Sequence, residues 1–371
     1  NRAVLFPYLN GEDLNSRPAQ SRSRWVINFR DWPLDREARG SWATADEATR
    51  KAWRQAGSVP ADYPDPVAAD YPDCLDIVRR LVKPERQRRK PDGSFQLRTP
   101  LPQRWWIHAD KRPELYATIA GMERVLVVAA TSKTLAFAFQ PATAVFSHAT
   151  YVTALSGWAE FALMQSAIHE QWARTYGSSL KQDLRYTPSD CFETFPFPFD
   201  LSRAESRDSP RPASPDSARS GQASEQASGV GPGAWDQARD ALDDIGRRYH
   251  EHRQAVMRAR NEGLTKTYNR FHAPAEASAD IAALRRLHVE MDLAVLRAYG
   301  WDDLALDHGF HETKQGLRYT VSPDARQELL DRLLELNHQR YAAEVAAGLH
   351  GKAGGKGGRK AAKGTGGERL F

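Results

Sequence analysis

Residues 201–233, LSRAESRDSPRPASPDSARSGQASEQASGVGPG, hold Leu201 and Val230 as their only large apolar side chains. Such a stretch cannot bury enough surface to offset the entropy of ordering its backbone, so a flexible linker is expected there. Whatever folds must then fold on either side of it, as one unit over about 1–200 and another over 234–346. The tail 347–371 follows the same logic, with Gly and Lys in place of Ser and Pro. The 371 residues are 41% apolar and include ten tryptophans, which leaves both flanking units material for a core. No apolar run approaches the roughly 18 residues of a membrane helix, so no contact with a bilayer is expected. The chain opens on Asn1 with no signal-peptide pattern and reads as a piece of a longer protein. Its two cysteines, Cys74 and Cys191, lie far apart and suit a reducing cytoplasm.

The expected fold class is α+β, a mixed α/β first unit followed by an all-α second one. In the first unit, RVLVVAA (124–130), TLAFAF (134–139) and AVFSHATYVTAL (144–155) read as strands, the first two joined by the polar turn Thr131-Ser132-Lys133. Trp158 to Tyr176 has helical spacing, with Phe161, Met164, Ile168 and Trp172 on one face and Gly177 as a stop. A helix over 71–81 follows Pro72, and residues 36–70 look like an exposed insertion. In the second unit, 235–260 and 281–299 are expected helices. A third begins at Ser322, an N-cap with Pro323 in the first turn. The run RYTPSDCFETFPFPFD (185–200) reads as an exit strap. Phe192, Phe195 and Phe197 would pack back onto the first unit, while Pro196 and Pro198 hold an extended backbone that needs no ladder partner.

Motifs for independent catalysis are missing: the chain has no G-x-S-x-G, Walker GKS/T, HExxH or CxxC. The close histidine pairs, His250/His252 and His308/His311, lack the four-residue helical spacing of a metal site, and no metal is expected. The adjacent pairs Asp243/Asp244 and Asp302/Asp303 diverge on a helix and read as solvated charges. The net charge of +5 is carried by the tail, where six Lys/Arg face Glu368, so the body is neutral overall. A basic surface in the body must come from clustering, and RRLVKPERQRRK (79–90) supplies seven cations against one acid. In it Arg79, Arg80, Lys83 and Arg86 recur at helical steps, a row suited either to phosphates or to a solvated face. Arg104 precedes Trp105 and Trp106, which suits a nucleic-acid groove or a core equally. Polar loops at Asn15-Ser16-Arg17, Ser132-Lys133 and Ser178-Ser179-Leu180-Lys181 carry donors for phosphates and base edges.

These stretches also follow one another in a familiar order. PYLNGEDLNSRP (7–18), SRWVINFRDWPLDREA (23–38), YPDCLDIVRRLVKPER (71–86), RWWIHADKRPEL (104–115), RVLVVAATSKTLAFAF and GSSLKQDLRYTPSDCFETFPFP form a series. It resembles the target-recognition region of type IIG and MmeI-like adenine-specific DNA methyltransferases of restriction–modification and phage-defence systems. LTKTYNRFHAP, LHVEMDLAVLRAYGW and RYTVSPDARQELLDRLLELNHQRYAAE look like that family's C-terminal helices. The resemblance implies DNA recognition on behalf of a methylase that transfers a methyl group from S-adenosylmethionine to a flipped adenine. That methylase would be an upstream domain in cis or a separate subunit. The family's Asn-Pro-Pro-Tyr/Phe loop has no counterpart, because no Pro-Pro dipeptide occurs. No catalytic or cofactor residue is therefore carried over. The implied partner is double-stranded DNA. The residues implied to face or border it are Asn15, Ser16, Arg17, Arg79, Arg80, Lys83, Arg86, Arg104, Trp105, Ser132, Lys133, Ser147, His148, Ser178, Ser179, Lys181 and Arg185. Two other readings stay open: a stand-alone specificity subunit, and a non-catalytic scaffold in which the helices dock a partner.

Overall fold

The computed structural model describes residues 1–180, 183–199 and 234–348, so the expected linker and nearly all of the expected tail lie outside the described residues. In chain order come β1 (Leu5–Leu9), α1 (Gly11–Ser16), β2 (Arg24–Ile27), α2 (Glu47–Ala56), α3 (Pro72–Leu81), the short α4 (Lys83–Arg86) and α5 (Pro113–Thr118). Then follow β3 (Arg124–Ala129), β4 (Thr131–Ser132), β5 (Phe137–Pro141), β6 (Val145–Phe146) and β7 (Thr150–Thr153). Helices α6 (Trp158–Gln165) and α7 (Ala167–Tyr176) lead to β8 (Ser178–Leu180), β9 (Asp183–Arg185) and the turn α8 (Pro188–Cys191). Beyond the linker lie α9 (Ala234–Arg260), α10 (Leu264–Phe271), α11 (Ala279–Ala298), β10 (Gly309–Thr313), β11 (Gly316–Thr320) and α12 (Pro323–Ala346). The fold is α+β.

Strand β3 organises the first part. It lies between β5 and β7, antiparallel to both, with Val127 opposite Ala138 on one side and Val152 on the other. Successive side chains of a strand point to opposite faces. Leu126 and Val128 therefore enter the core built with α6 and α7, and Val125 and Val127 enter a second core with Leu9, Leu14 and Phe146. Burial on both faces is why RVLVV is continuously apolar rather than alternating. A separate sheet orders β2-β1-β6, with β1 antiparallel to β2 and parallel to β6.

The core does not stop at the linker. Leu126, Phe161 and Trp172 share one cluster with Leu242, Leu284, Leu296 and Leu333. Polar contacts reinforce it. The amide of Ala159 at the start of α6 donates to Asp243 Oδ1 of α9 at 2.7 Å. The amide of Ala167 at the start of α7 donates to Asp292 Oδ1 of α11 at 2.8 Å. A carboxylate at a helix N-terminus satisfies an orphan donor and sits at the favourable end of the dipole. Asp243 is therefore a tertiary cap and not the solvated charge expected of it, whereas Asp244 pairs with Arg247 and Arg248 on the surface. The strap behaves similarly: Phe195, Phe197 and Phe199 are buried, and Tyr299 of the helical part donates to Pro196 O at 2.9 Å.

Several expectations change in the structure. The helix expected over 158–176 breaks at Ser166, whose extended backbone (ψ 157°) restarts the helix with its own hydroxyl accepting from His169 N. Phe161, Met164, Ile168 and Trp172 are nonetheless all buried. The strand expected over 144–155 is two strands separated by the tight turn at Ser147–Ala149. The second part is not all helical, because β10 and β11 pair as a hairpin with Gly316 at φ 88° in its turn. The 36–70 insertion is anchored: Val59, Tyr63 and Val67 are buried, although α2 itself buries nothing. A Cβ on Gly57 (φ 84°) would lie 2.4 Å from the Trp106 ring, so the insertion closes directly over that indole. The expected caps at Ser322 and Pro323 are both present, Ser322 Oγ accepting from Ala325 N at 3.2 Å. No helix among the described residues is long and apolar enough to cross a membrane.

Gly246 allows α9 to lie against α6. A Cβ there would fall 2.3 Å from Trp158 O and 3.2 Å from Ala162 Cβ. Alanine would improve helix propensity by about 1 kcal/mol, but the clash is with backbone and cannot be relieved by a rotamer. Gly246→Ala is expected to destabilise by a net ~1–3 kcal/mol, the usual cost of overpacking. Urea denaturation checks this, and a variant as stable as the parent would contradict the close approach.

Candidate nucleic-acid interface

The most concentrated group of expected DNA-facing residues lies where β3 runs on through Ala130 into β4. The Ala130 amide donates to Ala149 O at 2.8 Å, and its carbonyl accepts from Tyr186 N at 3.0 Å. These two bonds bring the 147–149 turn and the end of β9 to opposite sides of one residue. The chain then enters a small sheet of order β4-β9-β8. Thr131 stands opposite Arg185, which stands opposite Ser178; one step along, Ser132, Leu184 and Ser179 form the next row. Partners in a row share a face. Of the second row only Leu184 is buried, Ser132 being half-buried and Ser179 exposed, whereas in the row Thr131–Arg185–Ser178 all three side chains are exposed.

The loop after β4 is held from behind. Arg174 Nη2 of α7 donates to Lys133 O at 3.0 Å, and the guanidinium is itself fixed by Glu170 at 2.7 Å. Ser132 Oγ accepts from Thr134 N at 3.3 Å. The backbone is thereby positioned while the Lys133 ammonium stays exposed. Beneath the sheet, buried His169 Nε2 and Tyr186 OH lie 3.1 Å apart. Arg174 and His169 were not singled out in the sequence, since a lone Arg or His on a helix carries no signal of the loop it supports.

Ser147 and His148 divide their work. Ser147 is buried, its amide donating to Leu9 O and its hydroxyl accepting from Ala149 N at 3.1 Å. It shapes the turn that leaves His148 exposed. Helix α1 begins beside this turn, because a Cβ on Gly11 would come 3.3 Å from Ala149 O. Asn10 caps α1 by accepting from Asp13 N at 2.8 Å. At the other end, the backbone of Asn15 and Ser16 rests on Gly263, where a Cβ would fall 2.3 Å from Ser16 C. Arg17 forms an ion pair with the buried carboxylate of Asp13 at 3.0 Å.

In the 79–90 cluster and its neighbours, several side chains have partners within the chain. Trp105, Trp106 and Ile107 are buried with Phe29, Cys74, Leu75 and Val78. Trp105 is thus a core residue with no ring face open to a base, which corrects its place among the DNA-facing residues. Lys83 lies over the Trp105 ring at 5.1 Å. Arg86 Nη1 donates to Ile107 O at 2.5 Å, and burial lowers its pKa from the usual guanidinium value. Arg104 is paired with Asp31 at 2.9 Å and Arg80 with Asp76 at 2.8 Å, while Arg79 is exposed. Pro84 opens a new short helix instead of continuing the first, so the cations do not form one row. Ser132, Ser178, Ser179 and Arg185 are brought together on one small sheet, with Lys133 in the loop that leaves it and His148 at its margin. Lys181 lies outside the described residues.

Residues 105–199, which contain this sheet, match the family model of the MmeI target recognition domain. Among solved structures, the chain is similar to the Type IIL restriction–modification enzyme MmeI, whose structure was determined in complex with DNA. That likeness has a TM-score of 0.42 and 16% identity over 92% of this chain and 31% of the other, so this chain spans about a third of the enzyme's length. No curated protein matches the chain.

Proposed function

We propose, with the match of residues 105–199 to the MmeI target recognition domain as premise, that this chain is the DNA-recognition part of a site-specific adenine-N6 methyltransferase of the restriction–modification class. The observation that carries the proposal is the outward row Thr131–Arg185–Ser178 with Lys133 and His148 at its edge, inside the matched segment. Cationic and hydroxyl side chains on a rigid sheet suit both halves of duplex recognition. Lys and Arg neutralise phosphates, which positions the protein, while Ser, Thr and His side chains offer hydrogen bonds to base edges. The methyl donor, S-adenosylmethionine, would be held by a methylase outside this chain, in cis or as a separate subunit. The target base would be presented to it by flipping.

The 371-residue chain is expected to bind duplex DNA with an affinity that falls as salt rises, and to methylate nothing alone. Replacing Lys133 and Arg185 together by Ala leaves up to two phosphates without a cation. It is expected to flatten the slope of log affinity against log salt by about one for each phosphate no longer neutralised. Fluorescence anisotropy with a labelled duplex library measures both. A parent chain that binds no duplex at low ionic strength sinks the proposal.

A further inference from the structure

Separate from that sheet, α7, the end of α10, the β10–β11 hairpin and the start of α12 line a half-open cavity of about 230 Å³. Its lining includes Arg174, His272, Lys314, Arg318 and Arg326, with Glu170 as its one carboxylate. That carboxylate is already engaged by Arg174 at 2.7 Å. Glu170 also favours the charge of Arg318, but among the described residues Lys314, Arg318 and Arg326 form no ion pair with it. Arg318 is only 7% exposed, and its Nη2 is buried with no hydrogen-bond acceptor among the described residues. Arg326 gives Nη2 to Glu312 O at 3.1 Å but keeps a buried Nε without an acceptor. His272 Nδ1 is buried and unpartnered as well.

A buried guanidinium N–H without an acceptor is costly, and a charged one more so. Here the unpartnered atoms share one space: guanidinium donors from the hairpin and α12, and a ring nitrogen from the end of α10, line it. Guanidinium forks arriving from different elements match an oxoanion with several oxygens better than a planar carboxylate held by a single fork. Burial lowers the pKa of Arg318, with Glu170 opposing the shift and Arg174 adding to it, and a further anion in the cavity would oppose it more. We propose that this cavity is a phosphate-binding site, taking a phosphoryl group with Arg318, Arg326 and Lys314 as its donors. Arg174 links it to the candidate interface, because the same side chain that lines the cavity holds the Lys133 carbonyl. The phosphoryl group could thus belong to a DNA backbone or to a free phosphate.

The test uses the whole chain and two variants. Lys314→Ala/Arg326→Gln alters the rim at an exposed lysine and a surface-lying helix start, and Arg318→Met removes the buried charge at similar length. Inorganic phosphate, compared with chloride at equal ionic strength, is expected to raise the thermal midpoint of the parent saturably. The apparent affinity should be roughly tenfold weaker or worse in either variant, about the worth of one charged hydrogen bond. In a second arm, duplex binding is measured against salt. A slope lower by about one in the rim variant identifies a backbone phosphate as the source, and an unchanged slope alongside lost phosphate binding identifies a free one. No saturable phosphate effect in the parent, together with a parent-like slope in the rim variant, overturns the site. Failure of the parent to bind DNA at all would count against the proposed function and leave the phosphate arm standing.

Discussion

Gln165→Leu is expected to lower the stability of the chain by roughly 3–5 kcal/mol, the cost of leaving a buried charge short of its partner. Adding Arg253→Met to that variant should restore part of the loss. Arg253 of α9 is fully buried. Its guanidinium donates to Gln165 Oε1 at 2.9 Å, Tyr268 OH at 3.1 Å and Phe137 O at 2.6 Å, and it lies 5.3 Å from the Phe161 ring centre. The charge is solvated by neutral acceptors and π-faces instead of by a carboxylate. Gln165 also accepts from Phe137 N at 3.0 Å and donates to Leu135 O at 3.2 Å, so one amide serves both the strand and the guanidinium. Arg253→Met alone orphans fewer groups, because Tyr268 OH keeps Tyr249 OH at 2.9 Å and Gln165 keeps its two backbone bonds. Its cost should be about 1–3 kcal/mol. Urea denaturation of the parent, both single variants and the double variant forms the cycle. Strict additivity would mean that Gln165 and Arg253 do not act as one unit.

Acid is expected to unfold the chain well before its carboxylates titrate. Burial pushes the pKa of His169 down to about 3. His250, packed among Phe139, Trp158 and Phe161, is also pushed down to about 3, by burial first and then by Arg253 and Arg124. His272 is held well below the usual imidazole value by burial and then Arg318, and His288 is lowered by burial even though Asp292 opposes it. Each is neutral in the folded chain but binds a proton when unfolded below about pH 6.5. The unfolded state therefore holds more protons, and stability falls as pH drops from about 6.5 toward 3. Every such imidazole contributes up to ~1.4 kcal/mol per pH unit, so four together give a loss of roughly 3–5 kcal/mol between pH 6 and 5. Denaturation midpoints at pH 7.5, 6 and 5 decide it. A flat profile over that range would show that these rings are not buried as neutral groups.

Local patterns were legible wherever a residue's neighbours in sequence are also its neighbours in space. The pairing of 124–130 with 134–139, the apolar face of 158–176 and the Ser322–Pro323 helix start all belong to that class. The break at Ser166 does not, because the partner that stabilises the new helix start is Asp292 on a distant helix. The hairpin at 309–320 was missed for a related reason. Its polar strands gain their apolar contacts only when Phe310 and Tyr319 meet edge to face and lie beside the Arg285 guanidinium of α11. In the candidate site, the residue types were readable as donors, but their assembly rests on the register of β4 against β9 across the intervening helices. Trp105 shows the opposite failure. An aromatic beside cations reads the same in a groove as in a core, and only burial separates the two.

The two carboxylates that cap α6 and α7 from α9 and α11 bear on how specificity of this kind can be rearranged. The segment 105–199 that matches the target recognition domain model is not a cassette. Lifted out alone, it would lose both helix caps, expose the Phe137 and Phe161 side of its core and strand the strap that Tyr299 holds. Transplanting it into another scaffold requires either moving α9 and α11 with it or finding a host that supplies carboxylates at the same two amides. Changes confined to Thr131, Lys133, His148, Ser178 and Arg185 carry no such requirement, because these side chains are exposed on a backbone that other residues hold in place. Variation is cheap on that face and constrained behind it.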